Sequence, residues 1–125
     1  MTQAIRQSPM RVVVADDSEI IRDIVKDIFE SIGAEVHVIG SAIGLSGLLR
    51  KVRPHAVLLD INMPAIRGDQ AIATVRNLCP SAAIVLFSDD AEAKAIAHKH
   101  GVAWVTKTEP ARLVSAVMRA AKAST

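Results

Sequence analysis

Three acids, a hydroxyl and an amine stand where short apolar runs stop. Val12-Val13-Val14-Ala15 drives into Asp16-Asp17, Ala56-Val57-Leu58-Leu59 into Asp60, Ala83 to Phe87 into Ser88, and Ala103-Trp104-Val105 into Thr106-Lys107. Uninterrupted apolar runs are the mark of strands buried on both faces of a parallel sheet, so a charge is tolerated only at the strand end. If those ends converge, three carboxylates repel one another and raise each other's pKa unless a positive charge lies among them. A hard cation meets that need. Magnesium takes oxygen ligands, keeps several waters and is held by one or two carboxylates plus a phosphate. Asp17 and Asp60, with a backbone carbonyl from the loop after Asp60, supply the protein's share. Asp16 reads either as a ligand through water or as a neighbouring charge. Lys107 adds a compact cation and Ser88 a hydroxyl donor. Such a set resembles a phosphoryl-transfer site, where catalysis is mostly positioning and charge neutralisation.

The elements between these residues alternate strictly. Strands are predicted at residues 11–15, 35–39, 56–59, 83–88 and 103–107. Ile20, Ile21, Ile24, Val25, Ile28 and Ile32 recur at helical spacing, with Asp17 or Ser18 as cap and Gly33 as stop. Further helices are predicted over Ser41 to Val52, despite Gly44 and Gly47, over Gly68 to Cys79 before Pro80, over Ala91 to His100 before Gly101, and through Leu113, Val114, Val117, Met118 and Ala121. Five strand–helix pairs predict an α/β fold, a (βα)5 parallel sheet with helices on both faces. Right-handed crossovers in so short a chain suit the flavodoxin-like order 2-1-3-4-5. In that order strands 1 and 3 are neighbours. Asp16, Asp17 and Asp60 then share one sheet edge, and Ser88 and Lys107 arrive from strands 4 and 5. Residues 1–10 are expected to form a loose leader, and 11–123 a single domain.

Composition narrows the partners. Fifteen Lys and Arg against 13 Asp and Glu leave a formal charge of only +2. With three aromatic residues and no dense basic run, direct nucleic-acid binding is not expected. Arg50, Lys51 and Arg53 suit the last turn of a helix, where cations complement the dipole. The single cysteine, Cys79, cannot pair internally and fits a reducing compartment. No segment reaches membrane-spanning length and the first ten residues lack a signal peptide's apolar stretch. A cytoplasmic protein, monomer or weak dimer, is expected. There is no Walker loop, no Gly-x-Gly-x-x-Gly after the first strand and no Gly-x-Ser-x-Gly elbow.

Asp-Asp-Ser-x-x-x-Arg from Asp16 to Arg22, Asp-Ile-x-Met-Pro-x-x-x-Gly from Asp60 to Gly68, Ser88 and Lys107 at strand ends, in that order, resemble the receiver domains of two-component response regulators. The resemblance covers the chain from Arg11 onward. It implies that Asp60 is the phosphoacceptor, taking a phosphoryl group from a phosphohistidine of a sensor kinase or phosphotransfer protein. It further implies that Asp16, Asp17, Asp60 and the backbone carbonyl of Asn62 hold Mg²⁺. Ser88 and Lys107 would contact the phosphoryl group, and Trp104 stands at the family's aromatic switch position. The domain would then be a signalling phosphoacceptor, catalysing only its own phosphorylation and dephosphorylation.

Some positions depart from the family pattern. The segment between Ser88 and Lys107 is short, which trims the fourth helix or its entry. Asp89 and Asp90 follow Ser88 where a small residue is usual; they either repel an incoming phosphoryl group or face solvent and cap the next helix. Two other functions remain open on the residues alone. One is an interaction module that keeps the fold without accepting phosphate. The other is a small α/β phosphohydrolase, for which only Asp89 or Asp90 could serve as base. The chain stops at Thr125 with no output domain, as expected of a stand-alone receiver or an excised piece of a larger protein.

Overall fold

Each apolar run becomes a strand in the computed structural model, which describes residues 8–123. In chain order the elements are β1 (Arg11–Ala15), α1 (Glu19–Glu30), β2 (Glu35–Ile39), α2 (Leu45–Val52), β3 (Ala56–Leu59), α3 (Gly68–Leu78), β4 (Ala83–Phe87), α4 (Ala91–His100), β5 (Ala103–Val105) and, after a 3₁₀ turn at Pro110–Arg112, α5 (Leu113–Ala123). All pairings are parallel and the order is β2-β1-β3-β4-β5. This is the flavodoxin-like topology that the alternation implies. Most of the predicted leader lies outside the described residues. Met10, at its end, packs on the core and accepts the Glu35 N–H at 2.8 Å.

Alternation along each strand divides the core between two layers. Val13, Ala15, Val57, Leu59, Ile84 and Leu86 pack under α2, α3 and α4, through Leu49, Ile72, Val75, Ala93 and Ala97. Val12, Val14, Leu58, Val85 and Phe87 face the other way, against Val25 and Phe29 of α1 and Leu113 and Val117 of α5. Burial on both faces leaves β1, β3 and β4 nowhere to carry charge except their ends.

The elements differ from expectation at their edges. Helix α2 starts at Leu45 rather than Ser41, because Gly44 takes φ +87°, a left-handed conformation that interrupts a helix. Ser41 instead closes a small turn, its hydroxyl accepting the Ile43 N–H at 3.2 Å. Strand β4 ends at Phe87 and β5 at Val105, so Ser88 and Lys107 sit in the loops just beyond them.

Candidate functional site

Backbone pairing brings the three acids together. The Asp16 N–H donates to the Ile39 carbonyl at 3.0 Å and the Asp60 N–H to the Ala15 carbonyl at 2.9 Å, which locks both residues at the ends of adjacent strands. Oxygens of Asp16, Asp17 and Asp60 all lie within 4.8 Å of one another. Asp16 and Asp60 are buried, at 2% and 3% exposure, whereas Asp17 faces solvent. Asp16 Oδ1 accepts the Ser18 N–H at 2.9 Å, and Asp60 Oδ1 accepts the Asn62 N–H at 3.0 Å. Ser18, not Asp17, caps α1, which leaves Asp17 free of that duty.

Lys107 supplies the compensating charge. Its Nζ donates to Asp60 Oδ2 at 3.1 Å and lies 2.9 Å from Asp16 Oδ2. The second contact is an ion pair, and Lys107 is the partner of the buried Asp16 Oδ2. Burial holds the Asp60 carboxyl above the ordinary carboxylate range; the Asn62 N–H and the Lys107 charge pull it back only in part, and Asp16 pushes it further up. For Lys107, burial works against the charged form, but contact with Asp16 and the charges of Asp16 and Asp60 outweigh it, and the amine is raised above its usual value. A buried Asp16 oxygen held by the Lys107 ion pair, two more carboxylates and all-oxygen chemistry fit a hard divalent cation.

The rim is tied together by contacts the sequence did not disclose. Arg22, quoted above only as part of a motif, donates from its guanidinium to the Asp16 carbonyl at 2.9 Å. It does so across Gly40, where a Cβ would stand 2.7 Å from the arginine nitrogen. Asp90 caps α4, Oδ1 accepting the Glu92 N–H at 2.8 Å, while its Oδ2 accepts from the Asn62 side-chain amide at 3.1 Å. Those two bonds hold its carboxyl below the ordinary range. Asp89 faces solvent as expected but is not the cap of α4; its Oδ1 accepts from Thr106 Oγ1 and from the Lys107 N–H. Ser88 is buried at 1% exposure and its Oγ accepts the Asp90 N–H at 3.1 Å. Trp104 is half-buried, with its indole N–H donating to the Ser88 carbonyl at 3.0 Å. Outside the site, His100 of α4 meets Asp69 of α3 at 2.5 Å.

Doubly wound parallel topology, buried acids at the carboxyl edge of β1 and β3, and a lysine beyond β5 define a class of α/β domains whose loop crevice lies at the carboxyl edge of the sheet. Comparison with known proteins makes the class specific. A family model described as the response regulator receiver domain matches residues 12–118, and the chain belongs to that family. A protein-glutamate methylesterase/protein-glutamine glutaminase of Nocardioides sp. is 35% identical over 91 residues, covering 70% of this chain and 25% of that protein. The transcriptional regulatory protein MctR of Rhizobium johnstonii is 34% identical over 99 residues, covering 75% of this chain and 46% of that protein. This chain thus spans about a quarter to a half of these relatives' length. Among solved structures, a CheY-like receiver domain protein of Methanospirillum hungatei superposes with a TM-score of 0.82 at 21% identity, covering 94% of this chain and 97% of that one. The Vibrio cholerae chemotaxis protein CheY4 gives 0.78 at 24% identity, over 90% and 99% of the two chains. Receiver domains are signalling domains phosphorylated by histidine kinases, and in the relatives they are fused to effector domains. No helix among the described residues is long and apolar enough to cross a membrane.

Proposed function

We propose that this domain accepts a phosphoryl group on Asp60 from a phosphohistidine of a sensor kinase or phosphotransfer protein, in a reaction that requires Mg²⁺. The observation that carries this function is the pair of buried carboxylates, Asp16 and Asp60, sharing one lysine amine beside an exposed third acid. Asp16, Asp17, Asp60 and the Asn62 backbone carbonyl would hold the cation, which when bound neutralises charge on the phosphoryl oxygens. An Asp60 carboxylate oxygen attacks phosphorus; the P–O bond forms as the P–N bond breaks, and the departing imidazole keeps the electron pair. Lys107 and Ser88 stabilise the charge on the new aspartyl phosphate.

A phosphoryl group on Asp60 draws the Ser88 hydroxyl toward it, and Ser88 carries the carbonyl that Trp104 holds. Movement of Ser88 therefore strains that bond and releases the indole, which changes the surface formed by α4, β5 and α5. A hydrolase receives no support, because Asp89 and Asp90, the available bases, each accept two hydrogen bonds from loop and cap donors.

Incubation with Mg²⁺ and a small acyl phosphate, followed by intact mass measurement, tests the proposal. The expected product is a single acid-stable, base-labile phosphoryl adduct that is absent from Asp60→Ala. An unmodified parent, or an adduct that persists in Asp60→Ala, refutes it.

A further inference from the structure

The β4–β5 ladder ends in an unusual way. Its last backbone bond runs from the Ser88 N–H to the Val105 carbonyl at 3.1 Å. In a continuing parallel ladder the next bond would run from the Lys107 N–H to the Ser88 carbonyl. Neither group does this. The Ser88 carbonyl accepts from the Trp104 indole at 3.0 Å, and the Lys107 N–H donates to Asp89 Oδ1 at 2.7 Å. Side chains have replaced both partners of one rung, so the strands part where Ser88 and Lys107 must face Asp60. The same Asp89 oxygen accepts the Thr106 hydroxyl at 2.6 Å, and hydrogen bonds to a carboxylate are among the stronger ones. Helix α4 is already capped by Asp90, which leaves Asp89 without a local role.

We infer that Asp89 is a positioning residue for phosphoryl acceptance: it takes the Lys107 N–H out of the ladder and fixes the backbone from which Nζ reaches Asp16 and Asp60. This rests on Asp60 being the phosphoacceptor. The carboxylate that looks repulsive in sequence is engaged by backbone and hydroxyl donors. Without it, the Lys107 N–H is left to water, since the Ser88 carbonyl is held by the Trp104 indole, and the amine loses its fixed approach.

Asp89→Ala and Asp89→Asn, each made in the parent and in Lys107→Ala, test the inference. Phosphorylation by a small acyl phosphate and amide hydrogen exchange at Lys107 are followed. Loss of a charge-assisted bond is expected to slow phosphorylation about tenfold in Asp89→Ala and to speed Lys107 amide exchange by a similar factor. Asp89→Asn keeps an oxygen acceptor and recovers most of both effects. In Lys107→Ala the same substitution has no further effect on rate, which separates positioning from a general loss of structure. Parent-like rate or exchange in Asp89→Ala, or an undiminished rate effect without Lys107, overturns the inference. A parent that takes up no phosphoryl group refutes the phosphoacceptor function instead, and amide exchange alone then decides whether Asp89 holds Lys107.

Discussion

Lys107→Met is the substitution with the largest expected consequence. The amine lies 2.9 and 3.1 Å from carboxylates that are only 2% and 3% exposed, and its own side chain is 19% exposed. At an effective dielectric of about 20, each such contact is a gross attraction of roughly 5 kcal/mol, much of it offset by desolvation. Removing the cation leaves both carboxylates uncompensated, and breaking a buried pair in this way costs about 3–5 kcal/mol. The lower end applies here, because a carboxyl can relieve the strain by taking up a proton. About 3 kcal/mol in a 125-residue chain corresponds to a drop in Tm of about 11 °C.

The pH dependence gives the test its sign. Asp60 already binds its proton more readily folded than unfolded, and losing Lys107 raises it further. A group that binds more protons in the native state makes the fold less stable as pH rises through the window between the two pKa values. The deficit of Lys107→Met is therefore greatest at neutral pH and shrinks as the medium is acidified toward the ordinary carboxylate value. Lys107 itself, raised in the fold, contributes stability below the usual lysine pKa and loses it as pH climbs through the folded value, so the alkaline decline belongs to the parent alone. Thermal unfolding across pH, with and without Mg²⁺, reads all of this. Mg²⁺ is expected to raise the Tm of Lys107→Met more than that of the parent. Equal parent and variant Tm values in metal-free neutral buffer would refute the compensating role.

Two further outcomes are expected. Gly68 opens α3, and a Cβ there would stand 3.0 Å from Ile61 Cγ2 in the loop after Asp60; Gly68→Ala should cost about 1–3 kcal/mol by denaturant unfolding and slow Asp60 phosphorylation as that loop shifts. The His100 hydrogen bond, with help from Lys99, holds the Asp69 carboxyl below its ordinary range, so its contribution is present above the ordinary carboxylate pKa and is lost as pH falls through the folded value. Asp69→Asn should flatten that part of the acid limb of a stability–pH profile, and an unaltered acid limb would count against the α3–α4 link.

The strand ends were legible because burial on both faces leaves acids no other place. Four apolar runs stopping at Asp16, Asp60, Ser88 and Thr106-Lys107 define both topology and site, since the order 2-1-3-4-5 follows from alternation and places them together. What escaped was long in range or conformational. The start of α2 depended on Gly44 adopting a left-handed backbone, which no periodicity reveals. The link between Asp69 and His100 joins residues far apart in sequence on two helices, and the partners of Asp89 depend on how two strands separate beyond their last shared rung. Neighbouring residues suggested a helix cap for both Asp89 and Asp90, and only Asp90 took it. The resemblance supplied roles for Asp16 and Trp104 that their own local patterns left ambiguous, and it named Asn62 as the source of the loop carbonyl.

The guanidinium of Arg22 spanning Gly40 to hold the Asp16 carbonyl bears on how this sequence can drift. A Cβ at 40 meets only the flexible guanidinium end of Arg22, which can shift, giving up its bond to the Asp16 carbonyl. Any side chain at 40 displaces the arginine, and any shorter residue at 22 leaves a gap above 40 and a carbonyl without its donor. A change at 40 is thus expected to be read first in how Arg22 holds the end of β1, before it is read in stability.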